Sequence, residues 1–338
     1  MNKTLPPEIS ALQVRLSNEI FNNGMNFEKI ALEIFRIQSE YCAPYKRYIS
    51  LLGINPEEIK STHDIPFLPV SLYKNHEIKC FDGTEEALFT SSATTGQIPS
   101  RHFVKELSLY ERSFMESFKK FVGEPSDFTI LALLPSYLER KGSSLVYMTE
   151  HLIRKSEKKE SGFYLYNHEE LFKRLLHLKQ SKRKTILLGV TFALLDFVQK
   201  YPLDFPSLKV IETGGMKGRQ RELSREEVHQ TLSAGFGTNK ISSEYGMAEL
   251  LSQAWSDGQG LFTPPPWMRI IIRDNTNPFA PAPEGQEGGV NIIDLANIYS
   301  CSFIETMDKG IKEAGESFRI TGRIKNSEIR GCNLLLED

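Results

Sequence analysis

The sequence predicts an α/β protein in which mainly parallel sheets are covered by helices, with a smaller β-rich part behind them. Three observations carry this. Short, continuously apolar runs of strand length recur at 128–134, 185–190 and 208–212, with helical patterns between them. Strands apolar on both faces belong to a parallel sheet covered on both sides. After about Gly258 the pattern changes to strands separated by turn residues. The composition, 40% apolar and 25% charged with 23 Gly and 17 Pro, is that of an ordinary globular chain. It excludes collagen-like, low-complexity and disordered classes.

The elements follow in order. Residues 8–50 read as helical. Leu12, Val14, Leu16, Ile20 and Phe21 lead into Phe27, Ile30, Ala31, Ile34, Phe35 and Ile37, the second run at helical spacing. Pro66 and Pro69 make 64–70 extended or turning. Residues 128–134 form a strand and 143–153 a helix. Residues 163–166 form a strand, and 168–179 a helix with Leu171, Leu175 and Leu178 on one side. A strand at 185–190, a helix at 192–199 and a strand at 208–212 complete the α/β pattern. Strands at 269–273, 289–294 and 317–320 follow, with the Pro-, Gly- and Glu-rich stretch 278–289 as a loop or hairpin connection. This divides the chain at about 258. Residues 1–258 are a helical N-terminal segment and α/β body, and 259–338 a β-rich subdomain with a short C-terminal tail.

Charge and cysteine content narrow the chemistry. With 41 Lys and Arg against 43 Asp and Glu, the net charge is −2. No strong field of either sign favours nucleic acid or an anionic membrane, so a phosphate partner needs a local site. Cys42, Cys80, Cys301 and Cys332 are far apart and form no CxxC pair. That excludes a disulfide framework and a zinc site, and reduced thiols point to the cytoplasm. The N-terminus lacks the apolar core of a secretory signal. The most apolar stretch, 185–195, falls short of the roughly 20 residues that span a bilayer. We expect a cytoplasmic protein without a membrane span or nucleic-acid partner.

Candidate chemistry begins after Ala87-Leu-Phe. There Ser91, Ser92, Thr94 and Thr95 surround Ala93, and Gly96 closes the turn. A strand opening into small hydroxyl residues and glycine presents clustered N–H and O–H donors suited to phosphate. GxxxxGK[ST] is absent, so this is not a Walker A loop. Ser/Thr/Gly clusters also mark ordinary surface turns, and the loop alone does not decide. Further along, Ile211-Glu-Thr-Gly-Gly ends a strand in a glycine turn, where α/β sheets bind ligands. Ser243-Glu-Tyr-Gly-Met-Ala-Glu supplies an aromatic ring and two carboxylates around a glycine. Thr306-Met-Asp308 and Thr321-Gly-Arg323 add an acid and a base. A lone histidine on a helix, His151, reads as structural. Trp255, Trp267 and Cys301 read as packing.

These elements resemble, in order and rough spacing, the adenylate-forming acyl-CoA synthetases. The chain is most similar to the LuxE-type acyl-protein synthetases, with phenylacetate-CoA ligases next. The closer likeness rests on Leu134-Pro-Ser-Tyr-Leu-Glu-Arg, Ser143-Ser-Leu-Val-Tyr-Met, Gly189-Val-Thr-Phe-Ala-Leu-Leu-Asp and Ser327-Glu-Ile-Arg-Gly-Cys. The resemblance implies the adenylate-forming large-domain fold, with ATP and Mg²⁺ as cofactors. A fatty or related carboxylic acid attacks the α-phosphate of ATP, and a thiol then takes the acyl group. It implies that Ser91, Ser92, Thr94, Thr95 and Gly96 form the phosphate loop. Gly214 and Gly215 border adenine, with Tyr245 on its face. Glu249, with Thr95, holds Mg²⁺. Asp308 binds the ribose hydroxyls and Arg323 the ribose and phosphate side.

Three departures bear on that expectation. Ala93 stands where family loops have glycine. Ile98-Pro-Ser-Arg101 replaces the usual Pro-Lys. Thr306-Met-Asp replaces Thr-Gly-Asp. Family CoA ligases carry a lid domain after the Gly-Arg motif, whereas this sequence runs only from Arg323 to Asp338. The expectation is an absent lid and a thiol acceptor other than CoA. In LuxE-type proteins the cysteine matching Cys332 accepts the acyl group, and Arg330 beside it favours the thiolate. A LuxC-type, acyl-CoA-reductase-like partner would then receive the thioester. The alternatives are a phenylacetate-type acyl- or aryl-CoA ligase with a truncated lid, and a non-catalytic acyl-binding scaffold.

Overall fold

The structure is a computed structural model that describes residues 4–91, 98–135, 142–214 and 223–324. The helical stretch at 8–50 is three helices. Helix α1 (Pro7–Glu19) has proline in its first turn, where the missing N–H leaves nothing unpaired. Helix α2 (Phe27–Tyr41) starts at Asn26, whose side chain accepts the Lys29 N–H at 3.1 Å. Helix α3 (Ala43–Leu51) begins directly after Cys42. Pro44 enforces that break, because proline has no N–H to bond back into a continuing helix. The chain then forms β1 (Leu68–Pro69), α4 (Leu72–Asn75), β2 (Ala87–Thr90), β3 (Arg101–Val104) and α5 (Leu107–Phe121). Strands β2 and β3 are antiparallel, with Ala87 opposite Val104 and Thr90 opposite Arg101.

The α/β alternation then runs as expected. Its elements are β4 (Thr129–Leu133), α6 (Ser144–Ser156), β5 (Gly162–Tyr164), α7 (His168–Gln180), β6 (Thr185–Val190), α8 (Thr191–Lys200), β7 (Lys209–Thr213), α9 (Arg225–Phe236), β8 (Ile241–Tyr245) and β9 (Ala254–Ser256). Strands lie in the order β5, β4, β6, β7, β8, all parallel, with β9 antiparallel on β8. Every residue of β4 and β6 is buried, which is why these strands read as unbroken apolar runs. Leu171, Leu175 and Leu178 of α7 are fully buried, as their spacing predicts. Helix α9 is set by a capping box, Ser224 with Glu227, and ends at Gly237 with φ 63°, a left-handed turn that glycine makes without strain.

The last elements are β10 (Phe262–Thr263), β11 (Met268–Arg273), β12 (Gly288–Asp294), β13 (Phe303–Lys312) and β14 (Phe318–Arg323). Strands β11 to β14 form an antiparallel succession, and β1 adds to β13 in parallel. The sequence reading leaves α5, α9 and β13 unassigned. Strand β13 alternates buried and half-buried positions for most of its ten residues and carries Met, Asp, Lys and Gly, a weak strand pattern fixed by its neighbours on both sides.

The chain groups into two compact units. One takes 1–113, 248–252 and 263–338; the other takes 114–247 and 253–262. The N-terminal helices therefore group with the C-terminal strands, not with the parallel sheet. In the first unit, Phe35 of α2 and Tyr45 of α3 pack on Phe303 of β13 at ring distances of 5.9 and 6.2 Å. Buried Gln38 donates to the Asn297 and Ile298 carbonyls and accepts the Ser302 N–H. In the second unit, buried Trp255 donates to Ser117 at 2.8 Å. His151 accepts from Arg154 and packs edge-on against Phe114. Trp267, in the first unit, donates to Ser113 and Ser252.

The short segment Ala248–Ser252 belongs to the first unit although both its chain neighbours belong to the second. Its backbone is buried, so each N–H and C=O needs a partner. Asp294, fully buried at the end of β12, supplies two of them and binds the Ser252 side chain besides. It accepts the N–H groups of Leu251 and Ser252 at 3.0 and 2.9 Å, the Ser252 hydroxyl at 2.6 Å and the Ala296 N–H at 3.1 Å. Asn297 accepts the Leu251 N–H and donates to the Glu249 carbonyl at 2.8 Å. Burial pushes the Asp294 carboxyl up to about 6, against the pull of those hydrogen bonds. Asp294→Ala leaves several buried donors unpaired, each costing about 1–3 kcal/mol. The expected loss is roughly 2–4 kcal/mol, read as a fall in the urea midpoint. Glu169→Ala removes only an exposed pair with Lys173 and should leave the midpoint nearly unchanged. Equal midpoints for the two variants would contradict this account.

Candidate active site

In the first unit, strand β3 and the residue before it build the site. The Ser91 N–H donates to the Ser100 carbonyl at 3.1 Å, and the Ser100 N–H to the Ser91 hydroxyl at 3.0 Å. This two-way pairing closes the base of the hydroxyl-rich loop. The Ser100 hydroxyl donates to the Glu249 carboxylate. Ser100 and Glu249 are buried, at 3% and 6% exposed. Two residues on, and so on the same face of the extended strand, His102 bonds through Nδ1 to the Ala248 carbonyl at 2.9 Å and through Nε2 to the Ser300 hydroxyl at 3.0 Å. Burial pushes the His102 ring down to about 4, so it is neutral near pH 7. A carbonyl only accepts, so Nδ1 carries the proton and Nε2 accepts from Ser300. Side chain and backbone at Ala248 and Glu249 are thus held from one strand.

A buried carboxylate such as Glu249 is chemically of the kind that Mg²⁺ takes, since that ion binds one or two carboxylates and completes its shell with water and nucleotide phosphates. Among the described residues, no group of three or more His, Cys, Asp or Glu is arranged to hold a metal.

Asp308 and Arg323 come together in the same unit. They face each other across β13 and β14, and Arg323 Nε donates to Asp308 at 3.0 Å. Asp308 is 8% exposed, while the Arg323 side chain is largely open to solvent. The Thr306 hydroxyl accepts the Asp308 N–H and donates to the Val290 carbonyl. Buried Arg273 donates to the Thr306 carbonyl at 3.0 Å and to the Val290 carbonyl at 3.1 Å. The position of Asp308 is thus braced from β11 and β12. Arg101, the candidate substitute for the family lysine, lies over the Phe103 ring at 5.5 Å.

The second unit carries Gly214 and Tyr245 at the C-terminal ends of adjacent parallel strands, β7 and β8. Gly214 has φ 75°, a left-handed conformation that a side chain would strain. Its carbonyl accepts the Thr191 hydroxyl at 2.9 Å. The Tyr245 ring tilts against Phe262 at 5.8 Å, and Arg225 lies over the same Phe262 ring at 4.7 Å. Two buried carboxylates sit beside these residues and titrate in opposite directions. Burial raises Glu212, but the hydrogen bond from His229, the charge of Arg225 and hydroxyls of Ser243 and Thr191 outweigh it, and its pKa is lowered. Glu244 is raised to about 7 by burial, opposed by the hydroxyl of Thr213 and reinforced by the charge of Glu212.

Ser92, Thr94, Thr95, Gly96, Gly215 and Cys332 lie outside the described residues. The described cysteines are all buried. Burial pushes Cys42 up to about 12 and Cys80 and Cys301 well above the ordinary thiol value, so these three are poor nucleophiles at neutral pH. Sequence reasoning missed Ser100, His102 and Asp294, and it gave Glu212 and Glu244, inside motifs it singled out, no role of their own. Nothing in the polar run Ser100-Arg101-His102 marks these residues as buried or names their partners.

Residues 14–338 match the family described as acyl-protein synthetase, LuxE. No curated protein matches the sequence. Among solved structures, the chain is similar to a 2-hydroxyisobutyryl-CoA ligase in an open conformation with 2-HIB-AMP and CoA. The TM-score is 0.67 at 14% identity, over 88% of this chain and 70% of that one. The same ligase in its postadenylation state with R3-HIB-AMP gives 0.65 at 14% identity, over 96% and 73%. At this identity the likeness concerns the fold: an α/β architecture with mixed sheets covered by helices, as in adenylate-forming ligases. No helix among the described residues is long and apolar enough to cross a membrane.

Glu244 yields a pH prediction. Its folded pKa lies above the unfolded carboxyl value, so the native state holds the proton while the unfolded state releases it. Its contribution is therefore full below pH 4.5 and lost as pH rises through about 7. Glu244→Gln removes that titration. The stability of the variant relative to the parent should rise between pH 5 and 8, by about 1–3 kcal/mol, in urea unfolding at each pH. A difference independent of pH would show that Glu244 does not titrate in this way.

Proposed function

The chain belongs to the LuxE acyl-protein synthetase family, and from that premise we propose that it activates a fatty or related carboxylic acid with ATP and passes the acyl group to its own Cys332. In the first half-reaction an acid oxygen bonds to the α-phosphorus of ATP. The bond from that phosphorus to the bridging oxygen breaks, and pyrophosphate leaves. In the second, the Cys332 thiolate bonds to the acyl carbon, the bond to the AMP oxygen breaks, and AMP leaves. A LuxC-type acyl reductase is the proposed recipient of the thioester.

The observation that carries this reading is the connection from Ser91 through Ser100 to Glu249. It joins the base of a loop made for phosphate to a buried carboxylate made for a hard cation. Ser91, Ser92, Thr94, Thr95 and Gly96 supply donors to the phosphates. Glu249 and Thr95 would hold Mg²⁺, which when bound neutralises phosphate charge. Gly214 and Gly215 leave room for the adenine edge and Tyr245 offers it a ring face. Asp308 accepts from the ribose hydroxyls, and Arg323 is paired with that carboxylate. The acid needs no general base, being a carboxylate at neutral pH. The high pKa values of the three described cysteines further support an acceptor thiol elsewhere.

The half-reactions should separate under mutation. Glu249→Gln should cut fatty-acid-dependent ATP–pyrophosphate exchange by orders of magnitude. Cys332→Ser should keep exchange and lose an acyl label that survives denaturation and is released by neutral hydroxylamine. Equal labelling of Cys332→Ser and the parent would place the thioester elsewhere. Acylation of added CoA without protein labelling would favour a CoA ligase, and no exchange at all would favour a scaffold. Asp308→Ala should raise the ATP concentration needed for exchange, since a charge-assisted hydrogen bond contributes about 1.5–3 kcal/mol. Superimposable ATP titrations would remove Asp308 from the nucleotide site.

A further inference from the structure

We propose that the cavity beside Arg273 in the first unit is a binding site for a small neutral molecule. Its ligand has an apolar body about the size of a benzene ring and one hydroxyl, which accepts from the Asn291 amide and donates to the Glu305 carboxylate. The inference goes beyond the functional reading above and does not rest on it.

Three features support this site. First, its floor is a row of facing residues. Ile271, Asn291 and Glu305 lie directly opposite one another on β11, β12 and β13, so they share one face of the sheet. Arg273, two residues from Ile271, shares that face. A side chain at Gly289, opposite Arg273, would run into the guanidinium, so glycine there leaves it room. Second, two polar groups of the floor are left over. Arg273 donates to the Val290 and Thr306 carbonyls and to Asn291 Oδ1 at 2.9 Å. Arginine only donates, so the Asn291 atom that meets it is the oxygen, and the amide NH₂ remains. That NH₂ has no hydrogen-bond partner among the described residues, although Asn291 is only 3% exposed. The Glu305 carboxylate meets Arg273 at 3.6 Å and accepts no hydrogen bond among the described residues. Burial raises its pKa against the pull of Arg273, as befits a carboxylate short of donors.

Third, the space is bounded and of ligand size. The cavity has a volume of about 140 Å³, and Ile54, Ile65, Phe67 and Phe279 give it apolar walls. An apolar cavity of about 150 Å³ accepts benzene. The wall that carries Phe279 is preformed. Asp274 accepts the Thr276 and Asn277 N–H groups and donates its own N–H to the Ala280 carbonyl, while the Ala282 N–H donates to the Ile272 carbonyl. Charge then decides the class of ligand. An anion on this floor would face Glu305. A cation beside Glu305 would face Arg273, which three acceptors hold in place. A neutral hydroxyl satisfies both leftover groups, one as acceptor and one as donor.

The test uses the full chain with isotope-labelled isoleucine methyl groups, whose NMR signals are followed as benzyl alcohol is added. The signals of Ile54, Ile65 and Ile271 should shift and saturate as a single site. Toluene, benzoate and benzylammonium should bind about tenfold more weakly or worse, the effect of two lost hydrogen bonds. Ile271→Phe fills the cavity and should abolish the shifts of Ile54 and Ile65, with the urea midpoint as the check on folding. Should that variant fail to fold, Ala280→Leu fills the cavity from the loop side and takes its place. Asn291→Asp keeps an acceptor for Arg273 and removes the NH₂. It should weaken benzyl alcohol about tenfold and leave toluene near its parent value. No shift up to the solubility limit of benzyl alcohol overturns the inference. So do equal shifts in the filled variant and the parent, which place binding elsewhere. Toluene as tight as benzyl alcohol, or equal weakening of both by Asn291→Asp, removes the polar pair from recognition, and the inference falls. Tighter binding of benzoate or benzylammonium overturns the neutral class.

Discussion

A buried backbone segment must have every polar group paired, and the segment Ala248–Ser252 is where this constraint organises the molecule. The chain enters it from one compact unit and leaves it for the same unit, yet its contacts belong to the other. Asp294, Asn297 and His102 satisfy it from three separate elements. Their cost is a buried carboxyl and a buried imidazole, whose pKa values move toward neutrality of the group in both cases. That cost is met because an unpaired N–H in the same place would be dearer. The result is a rigid platform for Glu249, a residue whose usefulness depends on direction.

The same physics acts differently on the pair Glu212 and Glu244. Both are buried, and both sit at the C-terminal ends of neighbouring parallel strands. Desolvation raises each. Glu212 is met by a guanidinium, an imidazole and two hydroxyls, so it ends as the stronger acid. Glu244 has a hydroxyl and the repulsion of Glu212, so it ends near neutrality. Opposite protonation preferences thus arise from partners and not from depth. The asymmetry lowers the negative charge at these strand ends below that of two ionised carboxylates.

Thiol chemistry is divided by burial in a comparable way. Cys42, Cys80 and Cys301 are enclosed in apolar surroundings that hold them protonated. They fill space as small apolar side chains do. A protein that handles an activated acyl group gains from this, because an ionised thiol in the wrong place would divert it.

The sequence by itself determined the α/β alternation, because β4 and β6 are buried on both faces and must be apolar throughout, and α7 must repeat leucine at helical spacing. It also determined the family, through short motifs whose order survives even where Ala93, Ser100 and Met307 depart from the usual residue. It did not determine β13, whose mixed composition is overruled by strands on either side, nor the grouping of the N-terminal helices with the C-terminal strands. Nor did it reveal the partners of Glu249. Ser100 and His102 lie 149 and 146 residues from Glu249 and Ala248, and local periodicity carries no information across that distance. Motifs name the groups that do chemistry, since those are confined to few residue types. The groups that aim them need only a donor or acceptor in the right place, which many residues supply, and only the tertiary structure decides which one it is.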